Sequence, residues 1–239
     1  MMKNLWLFIA CMLLPALFSF RLPPFYLVNK VYTELETRQL KEGKYMTVKG
    51  EICYEANGNM VSHYFYPKDY VLLSNSKGEV KLYEPSTNTV VLTQNNAFSS
   101  QTSEFYYFFA GKLADMGLNE IGYVQEKVYP EKDLMVSLWK LKKPDAKRQV
   151  QKIKLVHQRQ SPVYMHYEDG KGAIVRKVYY YGYTQLQDVA FPATSTEIIF
   201  SGKDSTVTKT NFRNFRLNEQ ATSQYFNYKI PYNAKIQRL

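Results

Sequence analysis

Three histidines, two cysteines and a large excess of aromatic rings are the side chains that could do chemistry in this 239-residue chain. His63, His157 and His166 each fall inside a run that reads as a strand, and none stands in the H-x-x-x-H or Cys-paired spacing that gathers metal ligands. A strand brings residues i and i+2 to one face, so His166 and Glu168 are the nearest approach to an acid/base pair. A surface ion pair is the simpler reading of them. There is no G-x-S-x-G elbow, no phosphate-cradling glycine loop and no dinucleotide fingerprint. We therefore expect a protein that is not an enzyme and that uses no metal and no cofactor. The runs Phe105-Tyr-Tyr-Phe-Phe109 and Tyr179-Tyr-Tyr181 could stack bases or sugars, but in a chain with 15% aromatic residues they read first as core and cavity lining.

The elements that would position these groups begin after a leader. Lys3 precedes an apolar run from Leu5 to Leu14 and again from Ala16 to Phe18, with polarity returning at Arg21. The run is too short to cross a bilayer and Pro15 interrupts it, so residues 1–20 read as a secretory signal peptide cleaved after Ala16 or Ser19. A lipid-attachment box ending at Cys11 competes with this, but it would use only Leu5 to Ala10 as its apolar core. The expected location is the periplasm. With the leader removed, Cys53 is the sole cysteine, and its place in an alternating strand reads as a small buried apolar residue. A net charge of +10 would suggest nucleic acid in a cytosolic protein; export removes that partner and leaves anionic lipid headgroups, or a solvated basic surface.

Residues 21–239 read as one sheet-rich domain. Leu27, Val28, Val31, Tyr32 and Leu35 recur at helical spacing, predicting an amphipathic N-terminal helix over Leu27 to Leu40. Strands follow over Val48 to Tyr54, Asn59 to Tyr66, Tyr70 to Leu73, Glu79 to Tyr83 and Thr89 to Leu92. The turns between them are Asn57-Gly58, Pro67, Lys77-Gly78 and Glu84-Pro85. A second helix is predicted from an N-cap at Ser103 to a stop at Gly117, with Phe105, Phe109, Leu113 and Met116 as its apolar stripe and Phe108 beside it. Further strands cover Ile121 to Lys127, Leu134 to Leu141, Val150 to His157, Val163 to Tyr167, Ala173 to Tyr183, Ser195 to Phe200 and Thr206 to Phe212. Phe226 to Pro231 closes the domain.

This order of apolar runs and turns, over Val48 to Leu92 and again from Phe191-Pro192 to Phe226-Asn-Tyr-Lys-Ile-Pro231, resembles the LolA-like lipoprotein carriers. The resemblance implies an α+β fold: an unclosed antiparallel β half-barrel with an N-terminal helix and a lid helix over its concave apolar face. It also implies a periplasmic carrier that binds acyl chains of lipoproteins or another lipid and shuttles them toward the outer membrane. Its partners would be an inner-membrane donor complex and an outer-membrane acceptor, with no nucleic acid and the carrier a monomer. The alternative on the same half-barrel is a non-transporting lipid-sensing or partner-binding module. Family carriers lock the lid with an arginine beside a proline at the end of the first hairpin, where this chain has Glu55-Ala-Asn-Gly58. Apolar packing or a different donor must then hold it shut.

On this reading the lid residues that meet lipid are Phe105, Phe108, Phe109, Leu113 and Met116. The cavity lining is assigned to Val48, Ile52, Val61, Phe65, Leu134, Val136 and Leu138, on strands both of whose faces are apolar.

Overall fold

The computed structural model describes residues 28–94 and 99–238. The leader expected over residues 1–20 lies outside them. Among the described residues fourteen strands form one sheet: β1 (Lys30–Lys41), β2 (Lys44–Glu55), β3 (Met60–Tyr66), β4 (Tyr70–Ser74), β5 (Glu79–Glu84), β6 (Thr89–Gln94), β7 (Tyr123–Glu131), β8 (Leu134–Leu141), β9 (Lys152–Gln158), β10 (Ser161–Glu168), β11 (Ile174–Leu186), β12 (Val189–Ser201), β13 (Asp204–Leu217) and β14 (Lys235–Arg238). Their spatial order is β14-β6-β5-β4-β3-β2-β1-β13-β12-β11-β10-β9-β8-β7. Every neighbouring pair is antiparallel except β14 with β6. The end strands β14 and β7 do not pair with each other, so the sheet is an unclosed half-barrel.

Most hairpins follow from turn chemistry. Gly58 and Gly78 take positive φ, at +92° and +74°, in the Asn57-Gly58 and Lys77-Gly78 turns. Gly50 answers a different need: a Cβ there would lie 2.4 Å from the His63 carbonyl oxygen, where the β2–β3 register shifts at a bulge.

The helix predicted over Leu27 to Leu40 is instead a strand from Lys30 onward, with Leu27 outside the described residues. β1 sits in the middle of the sheet, between β2 and β13. Val31, Thr33 and Leu35 are buried on its concave side, while Tyr32 joins a second cluster on the other face. A strand buried on both faces loses its period-two alternation, and the spacing that remains mimics a helix.

Two cores result. The main one fills the concave face. The smaller lies on the convex face, where the segment after β13 folds back so that Ala221 and Tyr225 cover Tyr32, Cys53, Val61 and Val71. Cys53 is buried there, and burial pushes its thiol up to about 11, as expected of an inert packing residue.

Candidate functional site

The concave trough is covered by one short helix, α1 (Glu104–Phe109), and the turns that follow it. Ser103 is its N-cap, its Oγ accepting the Tyr106 amide at 3.2 Å. The helix stops well short of Met116. Gly111 adopts φ +68° and the Lys112 amide donates to the Tyr107 carbonyl at 2.8 Å, the Schellman closure of a helix end. The stop is thus Gly111, six residues before the predicted Gly117. Leu113 and Met116 are carried on turns. Gly117 is required there for another reason: at φ +75°, a Cβ would meet the Tyr107 ring at 2.6 Å.

The lid is seated by aromatic packing. Phe191 of β12 is fully buried, with ring centroids of Phe105 and Phe108 at 5.2 Å and Phe109 stacked at 5.5 Å. Phe212 and Phe215 of β13 close on the same ring at 5.6 and 5.5 Å. Such pairs contribute roughly 0.5–1.5 kcal/mol each beyond their buried area. A polar tie supplements them: His157 of β9, nearly buried, donates from Nε2 to the Leu113 carbonyl at 2.8 Å. This is a donor from the sheet to a lid carbonyl.

The lid fills the middle of the trough and leaves space to either side. A cavity of about 790 Å³ opens at its C-terminal end, walled by Val28, Phe108, Phe109, Leu113, Val189 and Ala190, with Arg159, Gln185 and Asp188 at its rim. On the other flank a cavity of about 560 Å³ is lined by Tyr107, Met116, Leu118, Met165, Tyr167 and Tyr180. Glu104 and Arg176 border this second space and also a smaller one of about 210 Å³.

These two residues form the polar spot in a greasy surface. The Arg176 guanidinium pairs with Glu197 and lies 4.8 Å from the Tyr167 ring centroid. Burial pushes the Glu104 carboxyl up to about 7, with Glu197 adding to the shift while a hydrogen bond with Ser195 and the Arg176 charge oppose it. Burial likewise lifts the Tyr54 and Tyr107 phenols to about 12, which keeps them neutral. Among the described residues no group of three or more acidic, histidine or cysteine side chains could hold a metal ion. His166 contacts Glu168 at 2.9 Å, and His63 lies between Glu51 and Asp69 while stacking on Tyr225 at 4.2 Å. Both histidines are away from the trough.

All five lid residues meet the main core: Phe105, Phe108 and Met116 as buried members, Phe109 and Leu113 packed against it. The lining residues divide. Ile52 is in the main core, and half-buried Val48 shares its side of β2. Val61 belongs to the convex cluster, and Phe65, on the same side of β3, is 52% exposed. Leu134, Val136 and Leu138 alternate with Trp139 and Leu141, which are the β8 members of the main core, and so lie on the convex side. The trough is lined instead by Tyr54, Met60, Tyr64, Leu155, Met165 and Tyr180. In β3 and β8 both faces are apolar, so alternation marks two sets of residues without saying which set faces inward.

No protein-family model and no curated protein matches the sequence. Solved structures do match the fold. A LolA superfamily protein from Nitrosomonas europaea superposes with a TM-score of 0.56 at 10% identity, covering 81% of this chain and 88% of that one. A DUF1329 family protein from Desulfovibrio piger gives 0.57 at 14% identity, with 83% and 90% covered. A domain assigned to the outer membrane lipoprotein-sorting proteins, from Vibrio parahaemolyticus, gives 0.57 at 14% identity, with 83% and 89% covered. The open sheet, its concave aromatic core and these superpositions together establish that the chain has the LolA-like fold.

Proposed function

We propose that the protein is a periplasmic carrier that takes acyl chains of a lipoprotein or another lipid into the concave trough and conveys them toward the outer membrane. The observation that carries this reading is the lid: aromatic side chains of α1 lie on an apolar sheet face, with cavities of about 790 and 560 Å³ on either flank. Each buried CH₂ contributes about 0.8 kcal/mol, so a fifteen-carbon tail gains on the order of 12 kcal/mol over water. Release into solvent is then negligible, and cargo must pass directly between binding surfaces. The lid aromatics occupy the empty site and are displaced by the tail, and polar ties to the sheet, His157 to the Leu113 carbonyl and Glu104 with Ser195, take the part that an arginine plays in the family.

The filled middle of the trough, where Phe105, Phe108 and Phe191 are almost wholly buried, favours a second reading. In it the same half-barrel senses lipid or docks a partner without transporting cargo. Lipid extraction and native mass spectrometry of the protein from its own periplasm separate the two. A carrier contains lipid that it surrenders to acceptor membranes, and the double variant Phe109→Asp/Leu113→Asp loses it while keeping the sheet. Unchanged lipid content in that variant would remove the lid from the mechanism. An empty wild-type trough in a stable complex with another protein would replace carriage by the second reading.

A further inference from the structure

The convex face of the sheet carries an amphipathic row that the trough does not use. Cross-strand register aligns Tyr45 of β2, Leu40 of β1, Val207 of β13 and Ile198 of β12, one beside the next. The same row continues through Lys177 of β11 and His166 of β10 to Lys154 of β9. Residues paired across strands share a face, so the row runs unbroken over seven strands, apolar in one half and basic in the other. An adjacent row places Arg38, Lys209, Tyr179 and Tyr164 beside it.

The apolar half reaches the end of the sheet and protrudes there. β3 stops pairing with β2 at Lys49 opposite Tyr66, so the β1–β2 hairpin projects past it. Tyr45 is 82% exposed at that tip, and Met46 on the opposite face is 48% exposed. The neighbouring β12–β13 hairpin brings Phe200 to the same end, with the Lys177 ammonium 5.5 Å from its ring centroid. Lys41, Lys44 and Lys203 in the two turns outnumber Glu42 and Asp204.

Charge on this face is unbalanced. Lys152, Lys154, Lys177 and Lys209 form no ion pair among the described residues, whereas Glu36 is held by Arg38 and Arg213, and Glu168 contacts His166. The turn segment that covers the convex cluster contacts β1, β2 and β3, and Tyr179 and Tyr181 on this side of β11 are 37% and 41% exposed. A second copy of a chain with net charge +10 would be repelled from such a surface.

We infer that the convex face and its protruding hairpin tip dock the protein on a bilayer rich in anionic headgroups. Tyrosine is enriched at the membrane–water interface, where an apolar body and a polar tip are both accommodated. Lysines beside it lay their stems on apolar surface and extend their ammonium groups to phosphate. The docking leaves the trough, on the other side of the sheet, free for its own ligand.

The test is co-sedimentation of the full chain with phosphatidylcholine vesicles with and without phosphatidylglycerol. The wild-type protein is expected to bind only the anionic vesicles, and less as salt is raised. Each lysine near such a surface is worth about fivefold in affinity, so Lys154→Gln/Lys177→Gln/Lys209→Gln should bind on the order of a hundredfold more weakly. Tyr45→Ser/Met46→Ser should weaken binding without altering the salt dependence; if it has no effect, the surface is a general polyanion site and not a bilayer dock. A Phe109→Asp protein that lipid extraction shows to have lost its trough lipid should bind vesicles as the wild type does. If it does not, vesicle binding reports lipid uptake and the docking face is refuted. Equal binding to both vesicle types, or an unaffected triple-lysine variant, also overturns the inference.

Discussion

Replacing Glu104 with Gln should change how stability depends on pH, because this carboxyl has moved furthest from its ordinary value among the described acids. Burial raises it from 4.5 to about 7, so the folded protein holds a proton that the unfolded chain releases. Between those values the native state binds more protons, and stability falls as pH rises until the folded group has itself ionised. With one unit worth 1.36 kcal/mol, the loss attributable to Glu104 grows by about 2.5 kcal/mol between about pH 5 and about pH 8. Glutamine keeps the shape and a hydrogen-bonding partner for Ser195 but cannot ionise. Urea unfolding followed by fluorescence of buried Trp139 measures both proteins across that range. The difference between them isolates Glu104, since His166, Glu36, Glu84 and Glu126 titrate identically in each. The variant should overtake the wild type as pH rises. A difference that stays constant would mean that water reaches the carboxyl freely, and that the polar spot bordering the trough is solvated. Because Glu104 begins α1, the same ionisation should loosen the lid above about pH 7, visible as faster amide exchange over residues 104–109.

Two further outcomes follow from the packing of the lid. Phe191→Ala removes the ring on which Phe105, Phe108 and Phe109 converge and should cost about 3–5 kcal/mol in urea unfolding; a cost below about 1 kcal/mol would show that the aromatic cluster collapses to fill the space. His157→Leu strips the Leu113 carbonyl of its donor and should cost about 1–3 kcal/mol, with exchange rising over residues 110–122 and lipid uptake accelerating; unchanged exchange there would show that packing alone holds the lid.

The hairpins were legible because their turns are local: Asn57-Gly58 and Lys77-Gly78 need glycine at positive φ, and the strands flanking them could only fold back. The N-cap at Ser103 was legible for the same reason. The helix end was misplaced because Gly111 and Gly117 both qualify as stops by type; the Schellman bond to the Tyr107 carbonyl decides for Gly111, while contact with the Tyr107 ring accounts for Gly117. His157 stood out by type and Glu104 by its place at a helix start, but what sets them apart, burial and a partner distant in the chain, carried no signal.

From composition, turn residues and the order of apolar runs came a sheet-rich domain without a catalytic motif and with an aromatic segment at Phe105–Phe109, and the family resemblance added the LolA-like outline and the lid. Long-range pairing decided the rest: that residues 30–41 are a central strand, that Trp139 and Leu141 face the trough while Val136 faces away, and that seven strands align one amphipathic row. A strand's residues divide into two faces by local geometry, but which face becomes interior depends on the direction in which the whole sheet curls and on what packs against it. That is a property of the assembled sheet and of no single segment.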